Sequence, residues 1–324
     1  MMEPIIKFDH IGKKIDGKQI IDDLNLEIQK GELFVIVGPS GSGKTTTLKM
    51  INGLHEITDG YLYINGKKFK DYNLQKLRWQ MGYVLQQIAL FPNMTVAQNI
   101  AVIPDMVGQD KKATKKGIDE MLSQVGLEPS QYRNRYPSEL SGGEQQRIGI
   151  LRALAAKPEI VLMDEPLSAL DPLSRTQLQE LIIDLHKTLN TTIVFVTHDM
   201  KEALKLGDRI AVMRKGKVVK VATPDELVNG DQDEFITEFF AGVAQEQKTD
   251  FLERPLLDLC SGDLLLKNKP ATSRTVAEMN SDQTITAAIE KFASVDVIRV
   301  FDDGISMGYL TRQQLLEAQV RLAS

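Results

Sequence analysis

Polar and apolar residues alternate over Ile5 to Phe8 and Leu24 to Ile28, the period of half-buried strands, with Gly12 and Gly17 breaking the segment between. Leu33 to Val37 is apolar without interruption, as in a strand covered on both faces. The residues from Thr46 to Asn52 can be helical, and Tyr61 to Ile64 alternates again before Asn65-Gly66, a strong hairpin signal. A small antiparallel sheet is therefore expected beside a larger one. From about Thr95 to Tyr136 the character is helical: Ile118, Met121, Leu122 and Val125 form a stripe closed by Gly126. Lys111, Lys112, Lys115 and Lys116 read as the solvated face of that helix rather than a basic binding patch.

Alternation of strands and helices then resumes. Ile160 to Met163 is an apolar strand, Leu178, Leu181, Ile182, Leu185 and Leu189 make a helical stripe, and Ile193 to Val196 is a further strand. Arg209 to Met213 and Lys217 to Val221 read as two strands joined at Gly216. This order implies a mainly parallel sheet with helices on both faces. Two short helices, near 224–228 and 233–240, are expected to close the domain, with a polar linker after them.

The 324 residues suit one large domain or two ordinary ones, and 42% hydrophobic and 26% charged residues are ordinary for a globular protein. A net charge of −5 argues against nucleic acid as the main partner, because a phosphate backbone selects basic surfaces. The single cysteine cannot form an intrachain disulfide and fits a reducing compartment. No apolar run reaches the length needed to span a bilayer, and Met1-Met-Glu-Pro-Ile-Ile-Lys lacks the plan of a signal peptide. The expectation is a soluble, cytoplasmic chain whose membrane association comes through a partner.

Gly38, Pro39, Ser40, Gly41, Ser42, Gly43, Lys44 and Thr45 make a Gly-x-x-x-x-Gly-Lys-Thr run between an apolar strand and a helical segment opening at Thr46. In that setting glycines let the backbone curl around phosphates with its N–H groups inward, and a helix N-terminus adds positive potential. Lys44 is expected on the β/γ-phosphates and the Thr45 hydroxyl on Mg²⁺. Asp164 and Glu165 end an apolar strand; Asp164 suits the shell of a hard cation, and Glu165 is placed to polarise the attacking water. Ser141 and Glu144 form a capping box, with Gly142 and Gly143 baring backbone N–H groups in the first helical turn, a second anion site. His198, after a strand, reads either as structural or as a donor or acceptor near the γ-phosphate.

In this order the motifs resemble the nucleotide-binding subunits of ATP-binding-cassette (ABC) transporters, over about Ile5 to Phe240. The resemblance makes Gly38 to Thr45 the Walker A motif, Ile160 to Glu165 the Walker B and Leu140 to Arg147 the signature. Ser168 to Asp171 then stands as the D-loop, His198 as the switch histidine and Gln86 as the Q-loop glutamine, which shares Mg²⁺ with Thr45 and Asp164. It implies an α/β fold: a P-loop NTPase cassette at 1–241 with an antiparallel β subdomain and a helical subdomain at about 87–150. It also implies a homodimer in which Ser141, Gly142 and Gly143 of one copy close over ATP held by Lys44 of the other. Integral membrane permease subunits and a solute-binding protein or domain complete the implied assembly, at the cytoplasmic face of the membrane. Where such subunits commonly stack an aromatic residue on adenine, this chain has Ile15, so GTP is expected to be accepted nearly as well as ATP.

The stretch from Thr45 to Asn52 and that from Gly82 to Thr95 look most like importers of osmoprotectants: glycine betaine, carnitine, choline or proline. An importer of another small solute such as an amino acid, or a soluble cassette ATPase outside transport, are the alternatives. After a linker at 242–255, residues 256–324 resemble a single or partial cystathionine-β-synthase-type (CBS) module of α+β structure. Ile285, Ala288, Ile289 and Phe292 share a helical face there; Val297 to Phe301 and Ile305 to Leu310 read as strands around Asp303-Gly304, and Thr311 with Gln314 caps a last helix. A regulatory or dimerising role, sensing ionic strength or a ligand, is one expectation for this tail; a remnant aiding assembly is the other.

Overall fold

All five side chains of β3 (Leu33–Val37) are buried. Fully burying an aliphatic side chain is worth roughly 1.5–3 kcal/mol, against about 1–2 kcal/mol per residue for fixing the backbone. A continuous apolar run is therefore stable only at the centre of a sheet covered on both faces, which is where β3 sits. A computed structural model describes residues 4–189, 191–230, 234–237, 239–240, 255–260, 265–270, 275–315 and 317. The linker expected at 242–255 lies outside them but for Pro255, as does part of the helix expected at 233–240. The chain divides into two compact units, Met1–Glu226 and Leu227–Ser324.

The first unit opens with β1 (Ile6–Ile15) and β2 (Lys18–Ile28), an antiparallel hairpin. Both strands are longer than the alternation predicts. Gly12 does not end β1; the strand passes through it by register shifts between Phe8 and Lys14, bulges that let pairing continue past the broken pattern. After β3 come α1 (Lys44–Ile51), β4 (Asp59–Ile64) and β5 (Lys67–Lys68), turned at Asn65-Gly66 with both residues at positive φ. These strands form the expected small sheet, in the order β2-β1-β4-β5.

The chain continues through α2 (Leu74–Trp79), β6 (Met81–Val84), α3 (Val96–Met106), α4 (Lys111–Gln124), α5 (Pro129–Tyr132) and α6 (Gly142–Leu154). Val96, Ile100, Ile118, Leu122, Ile148 and Leu151 build a core among α3, α4 and α6, distinct from the one under the sheets. This is the expected helical subdomain. Then follow β7 (Ile160–Asp164), α7 (Pro172–Leu189), β8 (Thr192–Thr197), α8 (Met200–Leu206), β9 (Arg209–Arg214), β10 (Lys217–Ala222) and α9 (Pro224–Asn229).

The six-stranded sheet has the order β10-β9-β3-β8-β7-β6, with β10 alone antiparallel to its neighbour. The carboxyl ends of five parallel strands therefore share one edge, where open α/β sheets bind ligands. Register sets the detail: Val37 lies opposite Thr197, Asp164 opposite Val196, and Val84 opposite Met163. The loops after β3, β6, β7 and β8 thus emerge side by side.

In the second unit, α10 (Leu257–Cys260) precedes β11 (Val276–Asn280), α11 (Ile285–Lys291), β12 (Val297–Asp302) and β13 (Ile305–Thr311). The helix and the strand pair were expected, as was the reciprocal Thr311–Gln314 cap. Beta strand β11 was not, because only Ala277 and Met279 of its five residues are even partly apolar and shielded. It pairs in parallel with β12, while Leu256 and Leu259 enter the core with Ile285, Ala288, Phe292, Ile298, Val300 and Leu310. No helix of the described residues is long and apolar enough to cross a membrane.

Candidate nucleotide site

The loop from Gly38 to Gly43 leaves β3 and enters α1 with Gly38, Gly41 and Gly43 all at positive φ. A β-carbon on Gly38 would stand 2.2 Å from the Met213 carbonyl oxygen, so only glycine fits there. Lys44 is 5% exposed, and its ammonium folds back to donate to the Gly38 and Pro39 carbonyls at 2.8 and 3.2 Å. Burial pushes that ammonium below the ordinary lysine value, opposed by the carboxylates of Glu165 and Asp164. The Ser42 hydroxyl is buried without a hydrogen-bond partner among the described residues. A loop with an orphaned hydroxyl, a buried cation and backbone curled by glycines has the chemistry to cradle a polyphosphate.

Asp164, at the end of β7, accepts from the Thr45 hydroxyl at 2.8 Å and from the Tyr83 phenol at 3.4 Å. Burial first, and then the Asp164 charge, push the Tyr83 phenol far above its ordinary value, so it stays a donor. A carboxylate and a hydroxyl meeting here are hard oxygen donors that fit Mg²⁺. Glu165, the next residue, has φ 45. That left-handed backbone costs a non-glycine residue about 1–3 kcal/mol, and a bond from its N–H to the Val196 carbonyl at 2.9 Å fixes it. The twist turns Glu165 away from the line of the strand. Its carboxylate accepts from Gln86 at 3.5 Å and lies 3.0 Å from Nδ1 of His198.

The structure thus brings together Lys44, Thr45, Gln86, Asp164, Glu165 and His198, from four strand ends. Ser141 does not join them. Its hydroxyl donates to Glu144 at 2.8 Å and accepts from the Glu144 N–H at 3.3 Å, the expected capping box, and the other Glu144 oxygen takes the Tyr132 phenol at 2.6 Å. Within one chain, no hydrogen bond or ion pair among the described residues links Ser141, Gly142, Gly143 or Glu144 to the loop of Gly38 to Thr46. Ile15 ends β1, over a third exposed, beside the Asp16-Gly17 turn. Asp171 accepts from the Ser174 N–H at 3.0 Å, and the Ser174 side chain first, then that N–H, hold its carboxyl below the ordinary value.

Two features escaped the sequence reading. Tyr83 sits one residue past Gly82 in a short strand, and nothing in its spacing announces a contact with Asp164. Asp199 caps α8 by accepting from the Lys201 and Glu202 N–H groups, and the Glu202 carboxylate is buried against the Thr197 hydroxyl at 2.6 Å. The Asp-x-x-Glu spacing after His198 was the available signal.

A family model described as ABC transporter matches residues 21–168. The choline transport ATP-binding protein OpuBA of Bacillus subtilis is 43% identical over 297 residues, covering 91% of this chain and 74% of its own length. That extent of identity decides the family. The chain belongs to the ABC transporter family. The osmoprotectant import ATP-binding protein OsmV of Salmonella typhimurium is 41% identical, over 97% of this chain and 81% of its own length. Among solved structures, the dimeric post-hydrolysis state of the ATP-binding cassette MJ0796, bound to ADP and Pi, superposes with a TM-score of 0.61 at 34% identity. It covers 68% of this chain and 98% of its own. The protein is accordingly an ABC transporter ATPase, an ATP-hydrolysing subunit with the P-loop cassette fold.

Proposed function

We propose that this ATPase powers uptake of an osmoprotectant, of the glycine betaine, carnitine, choline or proline class, through separate membrane permease subunits. The observation that carries the catalytic part is the convergence on Glu165 of Gln86, at 3.5 Å, and His198, at 3.0 Å, beside the Asp164–Thr45 pair. In this reading Glu165 orients and polarises the attacking water, and His198 and Gln86 hold Glu165 and the γ-phosphate in line. Lys44 turns from the Gly38 and Pro39 carbonyls to the phosphates, with Ser40, Gly41, Ser42, Gly43 and Thr46 completing the cradle. Thr45, Asp164 and Gln86 would hold Mg²⁺, which would supply neutralisation of phosphate charge.

The ATP site is shared. Ser141, Gly142 and Gly143, with no hydrogen bond to their own phosphate loop among the described residues, close over the triphosphate of a second copy, with Glu144 holding the Ser141 hydroxyl. The Asp171 turn lies along the joint. The pair works at the cytoplasmic face of the membrane with permease subunits and a solute-binding protein or domain. Ile15 packs on the base without stacking, so GTP serves nearly as well as ATP. Residues 256–324 form a single CBS-like module that regulates or dimerises the assembly. Support for the substrate class comes from the relatives whose names specify choline and osmoprotectant transport.

Proteoliposomes holding the chain with its permease subunits test this. We expect ATP-driven, and nearly equal GTP-driven, uptake of choline or glycine betaine, lost in Glu165→Gln while ATP binding persists. Uptake of an amino acid other than proline, with none of glycine betaine, carnitine, choline or proline, would overturn the substrate assignment.

A further inference from the structure

The side chain of Arg175, in the first turn of α7, reaches two loops of the ATP site from behind. Its Nη2 donates to the Leu170 carbonyl at 3.3 Å, inside the Ser168 to Asp171 turn. Nη1 lies 3.9 Å from a carboxylate oxygen of Asp199, and Nε lies 3.8 Å from one of Glu202. Glu202 is 5% exposed, and its second oxygen takes the Thr197 hydroxyl at 2.6 Å. The Thr197 oxygen in turn accepts the Asp199 N–H at 3.0 Å. Both neighbours of His198 are therefore held through this cluster, Thr197 by Glu202 and Asp199 by Thr197 and Arg175.

The Ser168 to Asp171 turn is tied at its other end to the water-polarising residue, since the Ser168 hydroxyl donates to the Glu165 carbonyl at 3.0 Å. One guanidinium thus spans the Glu165 side and the His198 side of the same site. Nε is buried and has no hydrogen-bond partner among the described residues, so its separation from Glu202 leaves slack in the link. A planar fork with donors in several directions suits three acceptors at once, which a lysine ammonium on a single point cannot serve together.

We propose that Arg175 is a positioning residue for hydrolysis, acting through Glu202 and Thr197 to set His198 against Glu165 in step with the Ser168 to Asp171 turn. The inference rests on the role assigned above to His198. Among the described residues no hydrogen bond or ion pair links Arg175 or Glu202 to Lys44, Thr45 or the phosphate loop, so the effect falls on turnover and not on nucleotide binding.

The test compares Arg175→Ala, Arg175→Lys, Glu202→Gln and the double variant R175A/E202Q by kcat, KM for ATP and thermal midpoint, with His198→Ala as reference. We expect R175A to lower kcat about ten- to a hundredfold, the cost of misplacing a reacting group by about an ångström, with KM within about twofold. R175K should recover part of the loss, and the double variant should fall no further than R175A, as members of one unit do. Should R175A not fold, R175K and E202Q carry the comparison. Wild-type kcat in R175A, or losses that multiply in the double variant, would overturn the proposal while leaving the site intact if H198A is inactive. Full activity in H198A would instead overturn the role of His198 itself.

Discussion

Glu165 meets Gln86 and His198 through a left-handed backbone, φ 45. Its type and place after an apolar strand were visible; the positive φ that swings it toward Gln86 and His198 was not, because backbone twist leaves no mark in one residue's identity. The same holds for His10 and Asp23, both at positive φ and joined at 2.7 Å on the exposed face of the first hairpin. The hydrogen bond and charge of Asp23 raise the His10 imidazole above its ordinary 6.5, with Asp9 adding to it, and the bond from His10 lowers Asp23 below 3.8. Because the histidine value is raised on folding, the pair stabilises fully below about pH 6.5 and that contribution is lost as pH rises through the raised value. On the acid side it is lost as pH falls through the lowered Asp23 value. Proton NMR of the His10 ring should show titration above 6.5 that drops in Asp23→Asn; an unchanged midpoint would remove the pairing.

Elements were legible where period and environment agreed. Beta strand β3, the α4 stripe and the Asn65-Gly66 turn all stand as the pattern implies. The failures, the extent of β1 and the existence of β11, have one cause: strand pairing supplied by a neighbour outweighs a broken or polar local pattern. Glycines in elements have opposite meanings that only packing separates. A β-carbon on Gly82 in β6 would stand 2.4 Å from the Ala153 carbonyl oxygen, where α6 crosses the strand, whereas one on Gly142 in the first turn of α6 meets nothing within 4 Å. Gly82→Ala should therefore destabilise by about 1–3 kcal/mol in urea unfolding. Gly142→Ala should leave stability unchanged or raise it by roughly 0.5–1 kcal/mol, yet depress hydrolysis if, as proposed, the open space takes the second copy's nucleotide. Normal hydrolysis in Gly142→Ala would contradict that use of the space.

At the scale of the whole molecule, the motif order carried the family and the cassette fold, and strand register carried the meeting of Thr45, Gln86, Asp164, Glu165 and His198. What the chain's order could not carry is the proposed second half of the ATP site, since Ser141, exposed at the start of α6, makes no hydrogen bond to the phosphate loop of its own chain among the described residues. In the proposed function the loop of one copy and the signature of another form one site. Mixing two inactive variants measures it. Lys44→Ala spoils the loop and Ser141→Arg spoils the signature, so a mixed pair retains one site with both halves intact. We predict that each variant alone hydrolyses no ATP and that the mixture regains activity. A mixture as inactive as its components, with the mixed pair shown to form by affinity capture, would contradict the shared site.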